Sequence, residues 1–76
     1  MLSRMRKEVE MIEIKLWEIR MDKKMTLRDV ALSTGLGKST LNYIENEKIS
    51  PTLAELEKIA MGIGCRITEL FDSEYK

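Results

Sequence analysis

Histidine is absent from the 76 residues and cysteine occurs once, at Cys65. The first absence removes the commonest general base, and the second leaves no internal disulfide and no thiol-histidine pair. No group of cysteines or carboxylates has metal-ligand spacing, so no metal, cofactor or small-molecule ligand is expected. Enzymatic chemistry is thereby the least expected function, and binding is the default. Aromatics make up 5% of the chain, too few for the row of exposed platforms on which single-stranded nucleic acid stacks. The longest apolar runs are three or four residues, as at Ile59-Ala60-Met61, far short of a membrane span, and no signal-peptide core follows the basic N-terminus. A cytoplasmic location without membrane association is the expectation. An excess of one charge is missing as well: 13 Lys and Arg balance 13 Asp and Glu, so no global field draws the chain to DNA or lipid. Only the distribution is uneven, with basic residues slightly in excess up to Lys48 and acidic ones after it.

What the chain does contain is helical pattern. Its length and 43% hydrophobic content fit a single domain, residues 1–76, with apolar side chains for one small core. Met5, Val9, Ile12, Leu16 and Ile19 follow at steps of three or four and share one stripe of a helix over about residues 3–24. Met11, Ile14, Trp17 and Met21 lie beside that stripe, so this extended first helix carries more apolar surface than one flank of a small domain covers, and residues 1–11 read as an N-terminal extension. Thr26 followed by Asp29 is a capping-box start for a second helix that turns Leu27, Val30 and Ala31 inward and stops at Gly35. A third helix over residues 38–46 follows Gly37, a weaker cap, with Leu41 and Ile44 facing in. Ser50-Pro51-Thr52 with Glu55 opens a fourth, whose Leu53, Leu56, Ile59, Ala60 and Ile63 face the core before Gly64. Ile67, Leu70 and Phe71 give a short fifth. No stretch alternates as a strand does, so the expected fold class is all-α with five helices.

Residues 27–46 thus combine a two-turn helix closed by a glycine, a three-residue turn and a helix with a polar outer face, which is the helix-turn-helix arrangement. Ala31, where the two helices cross, has to be small, and Leu36, Leu41 and Ile44 anchor both on the core. The segments Met25-Thr26, Val30-Ala31, Thr34-Gly35-Leu36, Lys38-Ser39-Thr40-Leu41-Asn42-Tyr43-Ile44-Glu45-Asn46, Ser50-Pro51, Gly62-Ile63-Gly64 and Glu69-Leu70-Phe71 stand at matching spacing. Over residues 16–71 the chain resembles the five-helix lambda-repressor/Cro-type (XRE) helix-turn-helix regulators.

The resemblance implies that the third helix lies in the major groove of double-stranded DNA, with Lys38, Ser39, Asn42 and Tyr43 at base edges. Lys can donate to guanine O6 and N7, Asn can pair with adenine in bidentate fashion, and Ser or Tyr can hydrogen-bond or pack on a thymine methyl. It further implies backbone contacts from Thr26, Arg28, Lys38, Thr40, Asn46 and Lys48, with phosphates received by exposed N–H groups at the starts of the second and third helices and in the turn after the third. Arg20 is expected to pair with Glu45 and so hold the third helix to the scaffold. Three positions depart from the family pattern. Leu27 stands where a phosphate-binding Gln is common, and Gly37 and Arg66 stand where Ser or Thr usually caps the third and fifth helices.

The expected function is therefore sequence-specific DNA binding by a homodimeric transcriptional regulator, a repressor reading a palindromic operator. The alternative is a protein-interaction module, an antitoxin-like partner or adaptor using the same fold, which the zero net charge and the surplus apolar face of the first helix favour. The dimer surface is either the first-helix extension or the fifth helix around Ile67, Leu70 and Phe71. Cys65 is expected to behave as a small buried hydrophobe.

Overall fold

Two capping boxes set the helical frame. The Thr26 hydroxyl accepts the Asp29 N–H at 3.0 Å while the Asp29 carboxylate accepts the Thr26 N–H at 2.8 Å. Thr52 and Glu55 repeat the exchange at 3.0 and 2.9 Å, so both helix starts use donors that would otherwise be orphaned. The computed structural model describes residues 12–76. Its order is strand β1 (Glu13–Ile14), helices α1 (Leu16–Asp22), α2 (Leu27–Thr34), α3 (Lys38–Glu45) and α4 (Leu53–Ile63), a 3-10 turn (Ile67–Glu69) and strand β2 (Phe71–Asp72). The stripe residues Met5 and Val9 and the extension over residues 1–11 lie outside the described residues.

Two expectations are corrected here. The first helix does not run through Glu13 and Ile14, which instead pair antiparallel with β2 in the register Glu13 with Asp72 and Ile14 with Phe71. The Lys15 N–H continues the ribbon to Leu70 O at 2.7 Å, and α1 starts only at Leu16. Backbone partners supplied by the far end of the chain thus win over a local helical period, and β-branched Ile14 suits an extended backbone. The expected fifth helix shrinks for the same reason: three residues form the 3-10 turn before Phe71 is drawn into the ribbon. The described residues are mostly helical, with four α-helices where five helices were expected.

The core draws on every helix. Leu16 of α1, Val30 of α2, Leu41 and Ile44 of α3, Ile59 of α4 and Leu70 after the 3-10 turn are fully buried, each contributing about 1.5–3 kcal/mol by leaving water. Leu27 and Ala31 are half-buried against this cluster. Leu53, expected to face in, is the first residue of α4 and is 76% exposed. Helix α4 comes close to α2 at Gly62, where an added Cβ would lie 2.5 Å from Thr34 Cγ2 and 3.1 Å from the Ser33 carbonyl oxygen. That absent side chain sets how near α4 can hold the helix that precedes the turn.

Candidate nucleic-acid interface

The turn between α2 and α3 is fixed by a glycine and a threonine. Gly35 takes φ 81°, in the left-handed region where only glycine is unstrained, and its N–H donates to Ala31 O at 2.9 Å. The Thr34 hydroxyl donates to Val30 O at 2.7 Å and accepts the Leu36 N–H at 3.1 Å, tying the end of α2 to the turn. Leu36 then packs on the core. Beyond it, Gly37 precedes α3 in an extended conformation without a side-chain cap. The first main-chain N–H of α3 to find a helical acceptor belongs to Leu41, which donates to Gly37 O at 3.0 Å. The N–H groups of Lys38, Ser39 and Thr40 precede it at the positive end of the helix and have no intrahelical partner.

Burial divides α3 sharply. Leu41 and Ile44 are fully buried, whereas Lys38, Ser39 and Asn42 are exposed, Tyr43 is 50% exposed and Thr40 is half-buried. All four candidate base readers therefore stand on accessible positions of a helix whose opposite face is fixed in the core. Its far end is clamped. Arg20, in the last turn of α1, donates from Nε to Glu45 Oε2 at 2.6 Å and from Nη2 to Oε1 at 3.0 Å, a fork-on-fork pair. Its remaining nitrogen, Nη1, donates to Met25 O at 3.1 Å. The side chains retain 13% and 6% exposure, so one guanidinium joins α1, the loop before α2 and the C-terminus of α3.

The helix-turn-helix family model matches residues 18–70, which takes in the whole stretch from the middle of α1 to the end of the 3-10 turn. The chain belongs to the lambda-repressor-type helix-turn-helix family. No curated protein matches it. As a domain of this DNA-binding family, the chain uses α2 and α3 as the two helices of the motif. In this helix-turn-helix domain the candidate backbone contacts fall into two groups. Thr26 and Arg28 are exposed at the start of α2, but the Thr26 N–H and hydroxyl oxygen are engaged by Asp29, leaving the hydroxyl hydrogen to donate outward. The Thr26 N–H, then the Thr26 side chain and the Arg28 charge, hold the Asp29 carboxyl below the ordinary aspartate range. Leu27 packs on the core and offers no polar side chain there.

The turn after α3 differs from expectation. Its N–H groups were expected to be free for phosphates, yet Asn46 donates to Asn42 O at 3.0 Å, Glu47 to Ile44 O at 3.0 Å and Lys48 to Tyr43 O at 2.8 Å. Glu47 sits at φ 58°, and the Glu47 and Lys48 bonds form the Schellman pattern that closes a helix on itself. The same pattern ends α1 at Lys24, φ 57°. The N–H groups of Asn46, Glu47 and Lys48 are thus spent within the turn, and of these residues the exposed Lys48 offers its side chain to DNA. The Glu47 carboxylate also accepts the Ile14 N–H at 3.2 Å, joining β1 to the turn. Asn46 directs its side-chain amide at Asn42, a relation that spacing alone did not reveal although residues four apart on a helix are neighbours.

Cys65 is half-buried, and its thiol is pushed above the usual range by burial and then by Glu69, which favours the unreactive protonated form. Among the described residues no group of three or more metal-binding side chains is assembled, and no helix is long and apolar enough to cross a membrane.

Proposed function

We propose that the protein is a sequence-specific transcriptional regulator that binds an operator as a homodimer and represses by occupying it. The observation that carries this reading is the division of α3: Leu41 and Ile44 fixed in the core, with Lys38, Ser39, Asn42 and Tyr43 presented together on accessible positions. Set in the major groove, these side chains would read base edges, and Lys38, Thr40 and the uncapped N–H groups at the helix start would meet a flanking phosphate. Thr26 and Arg28 at the α2 start and Lys48 in the turn after α3 would supply further backbone contacts. A two-fold dimer places its recognition helices roughly 34 Å apart, one turn of DNA, so the operator is a palindrome. A bound dimer blocks the DNA it covers, so occupancy suffices for repression.

The test is a selection of binding sites from a random DNA pool, run with the purified protein and with a Lys38→Ala, Asn42→Ala double variant. Enrichment of a palindrome by the first and not by the second is the expected result. No enrichment at low salt would sink the reading. The alternative, a protein-interaction module of antitoxin or adaptor type, is supported by the exposed apolar side chains Ile12, Trp17 and Met21 at the N-terminal side of the domain. The two differ in salt response: binding through several phosphates falls steeply with added salt, and an apolar contact between proteins does not.

A further inference from the structure

Asn46 has its donors turned away from any phosphate. Its main-chain N–H donates to Asn42 O at 3.0 Å, and its Nδ2 donates to both Asn42 O and Asn42 Oδ1, each at 3.0 Å. What Asn46 has left to offer is its Oδ1, an acceptor, which a phosphate oxygen repels. Asn42 is changed in the complementary sense. One lone pair of its Oδ1 is occupied, and because the oxygen and nitrogen of an amide diverge from Cγ, an Oδ1 held by Asn46 leaves Nδ2 directed away from it.

We propose that Asn46 is a positioning residue that holds the Asn42 amide with Nδ2 leading, so that Asn42 demands a hydrogen-bond acceptor on the base it meets. This rests on the DNA reading above and adds to it a rule of specificity. In the major groove purine N7, guanine O6 and thymine O4 are acceptors, whereas cytosine presents only its N4 donor. Adenine also satisfies the second lone pair of Asn42 Oδ1 through its N6–H. The position read by Asn42 therefore accepts adenine, guanine or thymine and rejects cytosine. Without the clamp the amide turns over freely, Oδ1 can lead, and cytosine is admitted. The hydrogen bond is exposed in the free protein, but docking into the groove removes the competing water and strengthens it where the choice is made.

The test uses the site selected by the wild-type protein, with each of the four bases placed at the position that Asn42→Ala ceases to read. Wild type is expected to disfavour cytosine there by about five- to a hundredfold. Asn46→Ala is expected to lose that discrimination at this position alone. Asn46→Asp, whose carboxylate can only accept, should turn the Asn42 amide over and shift the preference to cytosine or adenine. Each readout is a ratio between sequences, so the uniform repulsion of a new carboxylate by DNA cancels. If Asn46→Ala weakens every sequence alike with the discrimination intact, the proposal is overturned and Asn46 returns to the phosphate contacts, with the DNA reading untouched. A wild-type protein that selects no sequence overturns the DNA reading and the base-reading role with it. The amide bond is checked separately in the free protein: Asn42→Ala should move the Asn46 side-chain NH2 resonances, and unmoved resonances refute the clamp.

Discussion

Replacing Arg20 by Met removes the partner of a carboxylate that keeps 6% of its side-chain surface. Glu45 then loses both hydrogen bonds from the guanidinium, at 2.6 and 3.0 Å, and the Met25 carbonyl loses a third at 3.1 Å. Leaving one member of a buried pair uncompensated costs about 3–5 kcal/mol. Glu45→Gln should cost less, about 1–2 kcal/mol, because the neutral amide can still accept from Arg20 and the guanidinium keeps its bond to Met25. A double variant, Arg20→Met with Glu45→Leu, removes both charges and fills the space with apolar atoms, and is expected within about 1 kcal/mol of wild type. For a domain of this length, total stability is roughly 4–11 kcal/mol and each kcal/mol moves Tm by about 4–8 °C. The single Arg20 variant should therefore melt about 12–40 °C below wild type, and the double variant close to it. Urea unfolding followed by circular dichroism at 222 nm measures these three and Glu45→Leu alone. A loss below about 1 kcal/mol for Arg20→Met, or a double variant that simply adds the losses of Arg20→Met and Glu45→Leu, would refute the argument and reduce the pair to a surface contact.

Gly62→Ala should destabilise by about 1–2 kcal/mol despite the better helix propensity of alanine, because the new methyl meets Thr34 Cγ2 at 2.5 Å and the Ser33 carbonyl oxygen at 3.1 Å. Adding Thr34→Ser, which keeps the hydroxyl bonds to Val30 and Leu36 and deletes the clashing methyl, should recover part of that loss in urea unfolding; no recovery would place the strain elsewhere. Asp29 has a folded-state pKa below its ordinary value, so its contribution to stability is present above the ordinary aspartate range and is lost as pH falls through the folded value. Asp29→Asn should accordingly lower the urea midpoint at pH 6 and lower it less at pH 3, and a difference that stays constant with pH would exclude the carboxylate as the cause.

Local signals made the middle of the chain legible. Thr26 with Asp29, Thr52 with Glu55, and the glycines Gly35 and Gly64 mark helix ends by chemistry confined to a few residues, and the structure places α2 and α4 between them. The Arg20–Glu45 contact joins residues 25 positions apart, so no local period contains it; it followed from the family resemblance alone. What stayed illegible was decided by distant partners. Ile14 continues the helical stripe of the sequence as well as it serves a strand, and only β2 determines which it does. Lys24 and Glu47 close their helices in the left-handed region with side chains that do not advertise it. The same closure takes the Glu47 and Lys48 N–H groups out of reach of phosphates, a result visible only once the carbonyls of Tyr43 and Ile44 are in place.

The absence of net charge bears on how such a domain would hold DNA. The two candidate phosphate-contacting cations outside α3 each have an acid as immediate neighbour in sequence: Arg28 is followed by Asp29 and Lys48 is preceded by Glu47. Asp29 is committed to the Thr26 N–H and Glu47 to the Ile14 N–H, so both carboxylates serve the scaffold while standing next to the two candidate cations. In the proposed binding mode, attraction to the phosphate backbone at large would consequently be weak, since the sequence-independent part of binding scales with the cations brought to phosphates. Lys38 is the one cation on the exposed face of α3, at the uncapped end where the helix terminus adds to its field. In the DNA reading, a protomer alone would have few phosphate contacts with which to hold a site. Affinity would then have to come from base-edge contacts repeated by the proposed two-fold symmetry, so that dimerisation would be a requirement of binding. A small domain with balanced charge gains selectivity by this route: it has little hold on DNA of the wrong sequence, so more of its total affinity depends on the right one.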